Sequence, residues 1–383
     1  MADPIPEWGT DVGKKKSDHG AWSTDPREAL VAGPDFDLDL VDRGDTPGWQ
    51  AGKRGATDFC DERGDLLSEL QERLFAEGRA GGERSLLVVV QGLDTAGKGG
   101  VARHVMGKVD PQGVSLRSFG PPTEREQGHH FLWRIKKALP APGQIGVFDR
   151  SHYEDVLVAR VDEVVAPDVW ERRYDEINRF EADLVEQGTT IVKVALMVSH
   201  DEQGMRLMKR LDRPDKHWKY SANDLPTRLK WDDYQAAYAD VFRRTSTDVA
   251  PWYVVPADHK WYSRLAVTEI LTQTLVDLDP QWPTVRWDPM VQRRELAASL
   301  STAALAGSLA ETDKQVKKAI KDDRRVQKDA ARAAEVGDDS DPVARAEAEA
   351  RATEAAATAA AAMADLQRTR QQKAELLAER EDS

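Results

Sequence analysis

From Ser85 the chain runs through an unbroken apolar stretch, Leu86-Leu87-Val88-Val89-Val90, into Gly92-Leu93-Asp94-Thr95-Ala96-Gly97-Lys98-Gly99-Gly100. A glycine, four residues and then Gly-Lys, placed after a strand and before a helix, is the spacing of a phosphate-binding loop. Glycines let backbone N–H groups close around phosphate oxygens, and a helix N-terminus adds a favourable dipole. Lys98 adds a point charge on the phosphates being moved. The usual loop has Ser or Thr after the lysine to ligate Mg2+, but here that position is Gly99. The group that binds or orients the metal must then come from elsewhere, and Asp94 inside the loop is the candidate. An acid in a phosphate cradle repels its ligand unless Mg2+ or a proton-donating acceptor intervenes. The alternative is an Asp that caps the loop backbone.

A second cluster is Ile145-Gly146-Val147-Phe148-Asp149-Arg150-Ser151. Asp149 ends an expected strand and should project at the carboxyl edge of the sheet, where doubly wound folds bind ligands. Arg150 beside it either clamps phosphate or pairs with Asp149. His152, Tyr153, Glu154 and Asp155 follow at the same rim and read as an acceptor pocket. A third cluster gathers Arg206, Lys209, Arg210, Arg213, Lys216, Lys219, Arg228 and Lys230 into one stretch. The first four are three or four apart, so one helical face is basic. Residues 211–216 then break the helix, as a hinge would. This stretch is either a solvated face or a mobile lid over a polyanion. Within 124–139, Trp133 reads as core and Arg134 as a residue that can face phosphates. His129-His130 has no carboxylate or cysteine at ligand spacing, and no Ser/His/Asp or Cys/His nucleophile pattern occurs. The single cysteine, Cys60, excludes a disulfide framework and a cysteine metal site, and reads as inert.

The elements that must hold these groups follow from periodicity. Leu66, Leu67, Leu70 and Leu74 predict a helix over 61–80, and 85–91 is a strand buried on both faces. Further strands are expected at 114–119, 144–149, 190–198 and 252–255. Helices are expected at 98–108, 124–139, 168–187, 201–211, 226–244 and 259–278. Strands alternating with helices of this length predict an α/β fold with a parallel, doubly wound sheet. Residues 1–60, rich in Gly, Pro and Asp without a period, read as a partly ordered arm, with Phe36, Leu38 and Leu40 docking as a short strand. The α/β domain is expected over 61–288. Over 289–383 the apolar 300–309 could pack back on that domain. The Ala-rich, charged residues after it have high helix propensity but little apolar surface to bury. That tail reads as helical or disordered, a coiled-coil partner site being the alternative.

Charge and hydropathy exclude several classes. With 54 Lys and Arg against 67 Asp and Glu the chain is acidic, which argues against generic nucleic-acid binding. No apolar run approaches the roughly 18 residues that span a bilayer. Residues 1–16 lack the apolar core of a signal peptide, so a soluble cytoplasmic protein is expected.

The loop from Val90 to Gly100, then Phe131-Leu132-Trp133-Arg134, then Phe148-Asp149-Arg150-Ser151-His152-Tyr153-Glu154-Asp155, together resemble polyphosphate kinases of the second type. Lys216-His217-Trp218-Lys219-Tyr220 and the stretch from Ala250 to Asp258 are similar to the same family. The likeness spans residues 61–283. It implies a P-loop kinase fold similar to thymidylate kinase, three layers with a helical lid, and Mg2+-dependent phosphoryl transfer between inorganic polyphosphate and a nucleotide. It implies that Gly97, Lys98, Gly99 and Gly100 cradle polyphosphate. Asp94 and Asp149 would position Mg2+ and the attacking nucleotide phosphate, and Arg206 and Arg210 would close over the phosphates from the lid. Arg134 and Arg150 would share in charge neutralisation, and Tyr153 and Glu154 would meet the nucleotide. Glu154 resembles the subgroup that uses nucleoside monophosphates as well as diphosphates, where the other large subgroup has Trp-Tyr-Asn. Adenine nucleotides are the implied acceptors, with guanine left open, and dimers or tetramers are the implied assembly.

Two positions depart from that pattern. The residue before Phe131 is usually an acid and here is His130, and the lid usually has another basic residue near Gly204. The tail lies outside the resemblance. The rival readings are an ATP-dependent small-molecule kinase of the same fold, and a non-enzymatic polyphosphate-binding module.

Overall fold

All seven residues of β1 (Ser85–Gln91) are buried, as an unbroken apolar strand requires when helices cover both faces of its sheet. The computed structural model describes residues 22–335 and 342–381. Besides β1 the sheet contains β2 (Val114–Ser118), β3 (Ile145–Asp149), β4 (Thr189–Met197) and β5 (Trp252–Pro256). Their order is β2-β3-β1-β4-β5, and every pairing is parallel. From β1 the chain passes to one side through β2 and β3, then crosses to the other side for β4 and β5. The switch point therefore lies at the carboxyl end of β1, where Val90 pairs with Asp149 and Gln91 with Ala195. Ligands of such folds bind in that crevice.

One face is covered by α1 (Gly52–Arg79) and α7 (Lys260–Leu278), packed on each other. Leu67, Leu70 and Leu74 of α1 are wholly buried, so the expected apolar stripe is the stripe used. The seam also contains a buried ion pair, Arg63 Nε and Nη2 to the two Glu269 oxygens at 2.6 Å each. The other face receives α3 (Pro167–Glu186) and α6 (Trp231–Thr245), whose Tyr174, Ile177, Phe180, Tyr238 and Phe242 join Val89, Phe148 and Trp252 in one core. Between them in chain order stand α2 (Lys98–His104), which opens directly from the P-loop, α4 (His200–Leu211) and α5 (Asp224–Leu229).

Several expectations are corrected. The first long helix begins at Gly52, nine residues before position 61, and in the preceding segment Leu30, Ala32, Leu38 and Trp49 are buried, Ala32 and Leu38 within the core just described. Leu38–Leu40 is a 3-10 turn instead of a strand, with Leu38 buried and Leu40 exposed. The backbone pairing of this segment consists of isolated antiparallel bridges, Val31 to Tyr253 and, within the segment, Trp22 to Trp49. The helix expected over 124–139 is two single turns. The first, Glu124–Gln127, is opened by a Thr123/Glu126 capping box and stops at Gly128; the second is Trp133–Lys136. The helix expected over 226–244 is interrupted at Lys230, which leaves helical backbone and pairs with Asp162 at 2.7 Å. Residues 1–21, on which the leader reading and much of the arm reading rest, lie outside the described residues.

Among the described residues, 22–283 form one unit, and those from Thr284 onward belong to another. The second contains α8 (Pro289–Ser299), α9 (Thr302–Glu335) and α10 (Pro342–Glu381). Ser308 and Thr312 meet Lys373, whereas Leu300 and Ala298 meet Arg380, so α9 and α10 run antiparallel. Leu305 packs against Ala297 and Leu376 within this unit, so the apolar 300–309 stretch serves the helical hairpin.

Candidate active site

The P-loop is shaped by the backbone before any side chain acts. Gly92 has φ +150°, and a Cβ there would stand 2.6 Å from Leu196 O; Gly97 has φ +126°. Both positions therefore need glycine. Thr95 takes a left-handed φ of 69° without that licence. No hydrogen bond within the described residues falls on the N–H groups of Gly97, Lys98 or Gly99, the first orphan donors of α2 and the natural seat of an anion. Lys98 Nζ folds back over the loop and donates to Gly92 O (2.6 Å) and Leu93 O (3.3 Å). Burial and the Arg150 charge push its ammonium below the ordinary lysine value, against the pull of Asp94, Asp149 and Glu154.

Those four neighbours come from two loops at the end of the sheet. Asp149 closes β3, and Arg150 turns out of the strand with φ 64° while its N–H donates to Val90 O (3.0 Å). A non-glycine residue in this region is strained and stays there only when its surroundings hold it. Arg150 Nη2 donates to Asp94 Oδ1 at 3.0 Å, and its Nη1 lies 3.9 Å from Glu154 Oε2. Arg150 therefore pairs with the loop acid and not with Asp149, whose carboxylate accepts no hydrogen bond within the described residues. With its amide in the orientation that satisfies both ends, Gln91 donates to Glu154 Oε1 at 2.9 Å and accepts from Ser151 Oγ at 3.1 Å. Burial pushes the Glu154 carboxyl above the usual range, though Arg150 and Lys98 oppose it.

Two carboxylates flanking a phosphate cradle suit Mg2+, which takes one or two protein carboxylates and completes its shell with water and substrate phosphate. No group of three or more His, Cys, Asp or Glu stands at metal-holding distance among the described residues. Asp94 and Asp149 therefore fit a metal that arrives with phosphate, and not one caged by protein alone.

Of four assigned residues, two are buried and two make contacts of their own at the rim. Tyr153 is wholly buried, its hydroxyl donating to Glu181 Oε1 (2.8 Å) and accepting from Lys193 Nζ (2.9 Å). Lys193 also donates to Glu181 Oε2 (2.6 Å) and Thr245 O (2.7 Å), and His152 Nε2 lies 3.1 Å from Glu181 Oε1. Tyr153 thus holds the site loop from beneath and offers no surface to a nucleotide. Arg206 is 6% exposed and spends its guanidinium on backbone carbonyls. Arg210 ties α4 to the segment after it, through Lys219 O (2.9 Å) and Asp224 Oδ2 (3.4 Å). Arg134 donates to Gly120 O (2.8 Å) and lies over the Phe119 ring, half-exposed at the edge of the crevice.

The two departures have structural explanations. His130 Nδ1 accepts from Leu132 N (3.3 Å) and its Nε2 faces Glu176 at 2.8 Å, so the ring caps the turn as a carboxylate would. At Gly204 a Cβ would lie 3.0 Å from Arg228 Nη2. The absent side chain makes room for a cation from α5.

One grouping escaped sequence reasoning, which singles out only its Lys209. Arg264 of α7 stands beside Gly100, 3.9 Å from where its Cβ would be. Burial lowers the Lys260 ammonium, and Arg206, Lys209 and Arg264 lower it further; burial and Arg103 act likewise on Arg264. Arg103, Lys209, Lys260 and Arg264 have no hydrogen-bonded acceptor or acidic partner at ion-pair distance among the described residues. They come from three helices, so linear spacing could not group them.

The family model for polyphosphate kinase 2 matches residues 56–282, which include every site residue described above. The AMP/ADP-polyphosphate phosphotransferase of Meiothermus ruber is 45% identical over 248 residues, covering 65% of this chain and 91% of that protein. The ADP-polyphosphate phosphotransferase of Rhodopseudomonas palustris is 42% identical over 229 residues, covering 57% and 78%. The crystal structure of polyphosphate kinase 2 from Arthrobacter aurescens TC1 matches with a TM-score of 0.71 at 49% identity, covering 73% of this chain and 98% of that one. With the P-loop, its facing acids and the strand order all inside the matched span, this chain belongs to the polyphosphate kinase 2 family and is a transferase.

Proposed function

We propose that this enzyme transfers the terminal phosphoryl group of inorganic polyphosphate to AMP and to ADP, reversibly and with Mg2+. The observation that carries the reading is the cluster of cations beside the P-loop, Arg103, Lys209, Lys260 and Arg264, unpaired among the described residues of a chain with net charge −13. A polyanionic chain needs charge beyond the reacting phosphate, whereas a single nucleotide does not. The relatives named for polyphosphate transfer to AMP and ADP support the same substrates.

In the transfer, a terminal phosphate oxygen of the nucleotide attacks the last phosphorus of polyphosphate. The P–O bond to the next phosphate breaks, and the shortened chain leaves as an anion. The N–H groups of Gly97, Lys98 and Gly99 hold the oxygens of the migrating group, and Lys98 and Arg150 neutralise charge on either side of it. Asp94 and Asp149 would hold Mg2+, which when bound adds positive charge across the phosphates. Glu154, 3.9 Å from Arg150, supports acceptance of the monophosphate.

The test is nucleotide phosphorylation with long-chain polyphosphate and Mg2+, starting separately from AMP and from ADP. Product from both is expected. Product from ADP alone would remove AMP from the reading, and no product from either, with ATP serving as donor to another acceptor, would overturn it.

A further inference from the structure

We infer that Arg206 is a positioning residue for phosphoryl transfer, a buried guanidinium clamp that sets the P-loop, and not a lid residue that contacts phosphate. The inference rests on the phosphotransferase reading above. All five N–H donors of a guanidinium are used. Nε donates to Glu202 Oε1 (2.7 Å), Nη1 to Thr95 O (2.9 Å) and Ala96 O (3.3 Å), and Nη2 to Ala257 O and Asp258 O (2.7 Å each). With the side chain 6% exposed, no donor remains for a phosphate, and reaching one would strand four carbonyls in the interior.

The clamp joins three pieces of backbone. Thr95 and Ala96 belong to the P-loop, Ala257 and Asp258 to the exit of β5, and Arg206 itself to α4. Asp258 Oδ1 also accepts from Ser199 N at 2.7 Å, fastening the start of α4 to the same exit. A trans peptide directs its N–H opposite to its C=O. Holding Ala96 O toward α4 therefore turns the Gly97 N–H the other way, into the unpartnered set that faces the anion seat. The clamp also over-determines Thr95 at φ 69°, a conformation that costs free energy outside glycine. The first two turns of α4 are consequently a fixed post, and any closing motion belongs to the chain beyond them. A lysine has neither the donors nor the planar fork to replace this residue.

The test compares the wild-type full chain with Arg206→Lys, Arg206→Met and Glu202→Gln, the last removing only the carboxylate that orients the guanidinium. A misplaced loop predicts kcat lower by about 100-fold in both Arg206 variants, with the polyphosphate KM changed less than about threefold. Glu202→Gln should lose kcat in the same sense but less. Millimolar guanidinium should restore turnover to Arg206→Met and not to a Lys98→Met enzyme. Amide exchange over residues 93–100 should accelerate in Arg206→Lys without any substrate. A polyphosphate KM raised tenfold or more at near-normal kcat, with a weaker salt dependence, would make Arg206 a phosphate contact and overturn the inference. Should Arg206→Met fail to fold, Glu202→Gln with normal kcat and unchanged amide exchange would overturn it equally. A wild-type enzyme inactive with polyphosphate would sink the substrate reading, while the exchange measurement would still judge the clamp.

Discussion

Lys98 and Lys193 show how one residue type takes opposite duties by position. Lys98 donates only to loop carbonyls that a phosphate oxygen can replace. Removing it as Lys98→Met should lower kcat/KM by about 100- to 1000-fold, the scale of losing one preorganised donor to a developing charge. Its unfolding midpoint should stay close to wild type; an enzyme with near-normal turnover would refute the assignment. Lys193 is buried in β4 with all three donors satisfied by Glu181, Tyr153 and Thr245. Lys193→Met leaves Glu181 in the core without its lysine, with only Tyr153 and His152 beside it, so a loss of about 3–5 kcal/mol is expected in denaturant unfolding. At this scale the shape of the loop was legible where the backbone itself carries the motif, as at Gly92 and Gly97. The burial of Tyr153 and Arg206 was not. A tyrosine or arginine beside a motif gives no sign of whether it faces the crevice or the core until its strand and helix are packed.

At the scale of elements, charge matters by where helices converge. Arg103 of α2, Lys209 of α4, and Lys260 and Arg264 of α7 form a cationic cluster with no acidic partner at ion-pair distance among the described residues. Changing all four to Gln should raise the KM for long-chain polyphosphate roughly tenfold and flatten its dependence on ionic strength, while a short polyphosphate is affected less. Equal loss for both donors would place the cations outside the path of the chain. A second case is the end of α1, where Glu77 receives Arg84 Nε at 2.7 Å and Arg84 also reaches Leu278 O. The Arg84 hydrogen bonds hold the Glu77 carboxyl below the usual range. A depressed folded-state pKa gives stability that is present above the unfolded value and is lost as pH falls through the folded one. The contribution should therefore fade from about pH 4 downward. Glu77→Gln should cost ~1 kcal/mol at neutral pH and make the acid side of the stability profile shallower. A profile unchanged by the substitution would show that the pair does not contribute.

For the whole molecule, every site residue and every strand lies before Pro283. A chain ending there has its own core and should fold alone, with kcat within about a factor of two of the full chain when assayed at equal enzyme concentration. A collapse of turnover would assign the helical unit a catalytic part. What the sequence by itself determined is local. Continuous apolar runs mark strands covered on both faces, glycine and lysine spacing makes a phosphate loop, and Leu66, Leu67, Leu70 and Leu74 face one side of a helix, because each of these depends on neighbours a few residues apart. Only the tertiary structure decided that Arg150 meets Asp94 across 56 positions of chain, that Arg206 holds the P-loop from behind, that Arg228 occupies the space Gly204 leaves, and that Ala32 and Leu38 belong to the main core. Those outcomes depend on which elements the crossovers bring together and on which side chains are then cut off from water. Neither is encoded in the spacing of residues along a single element.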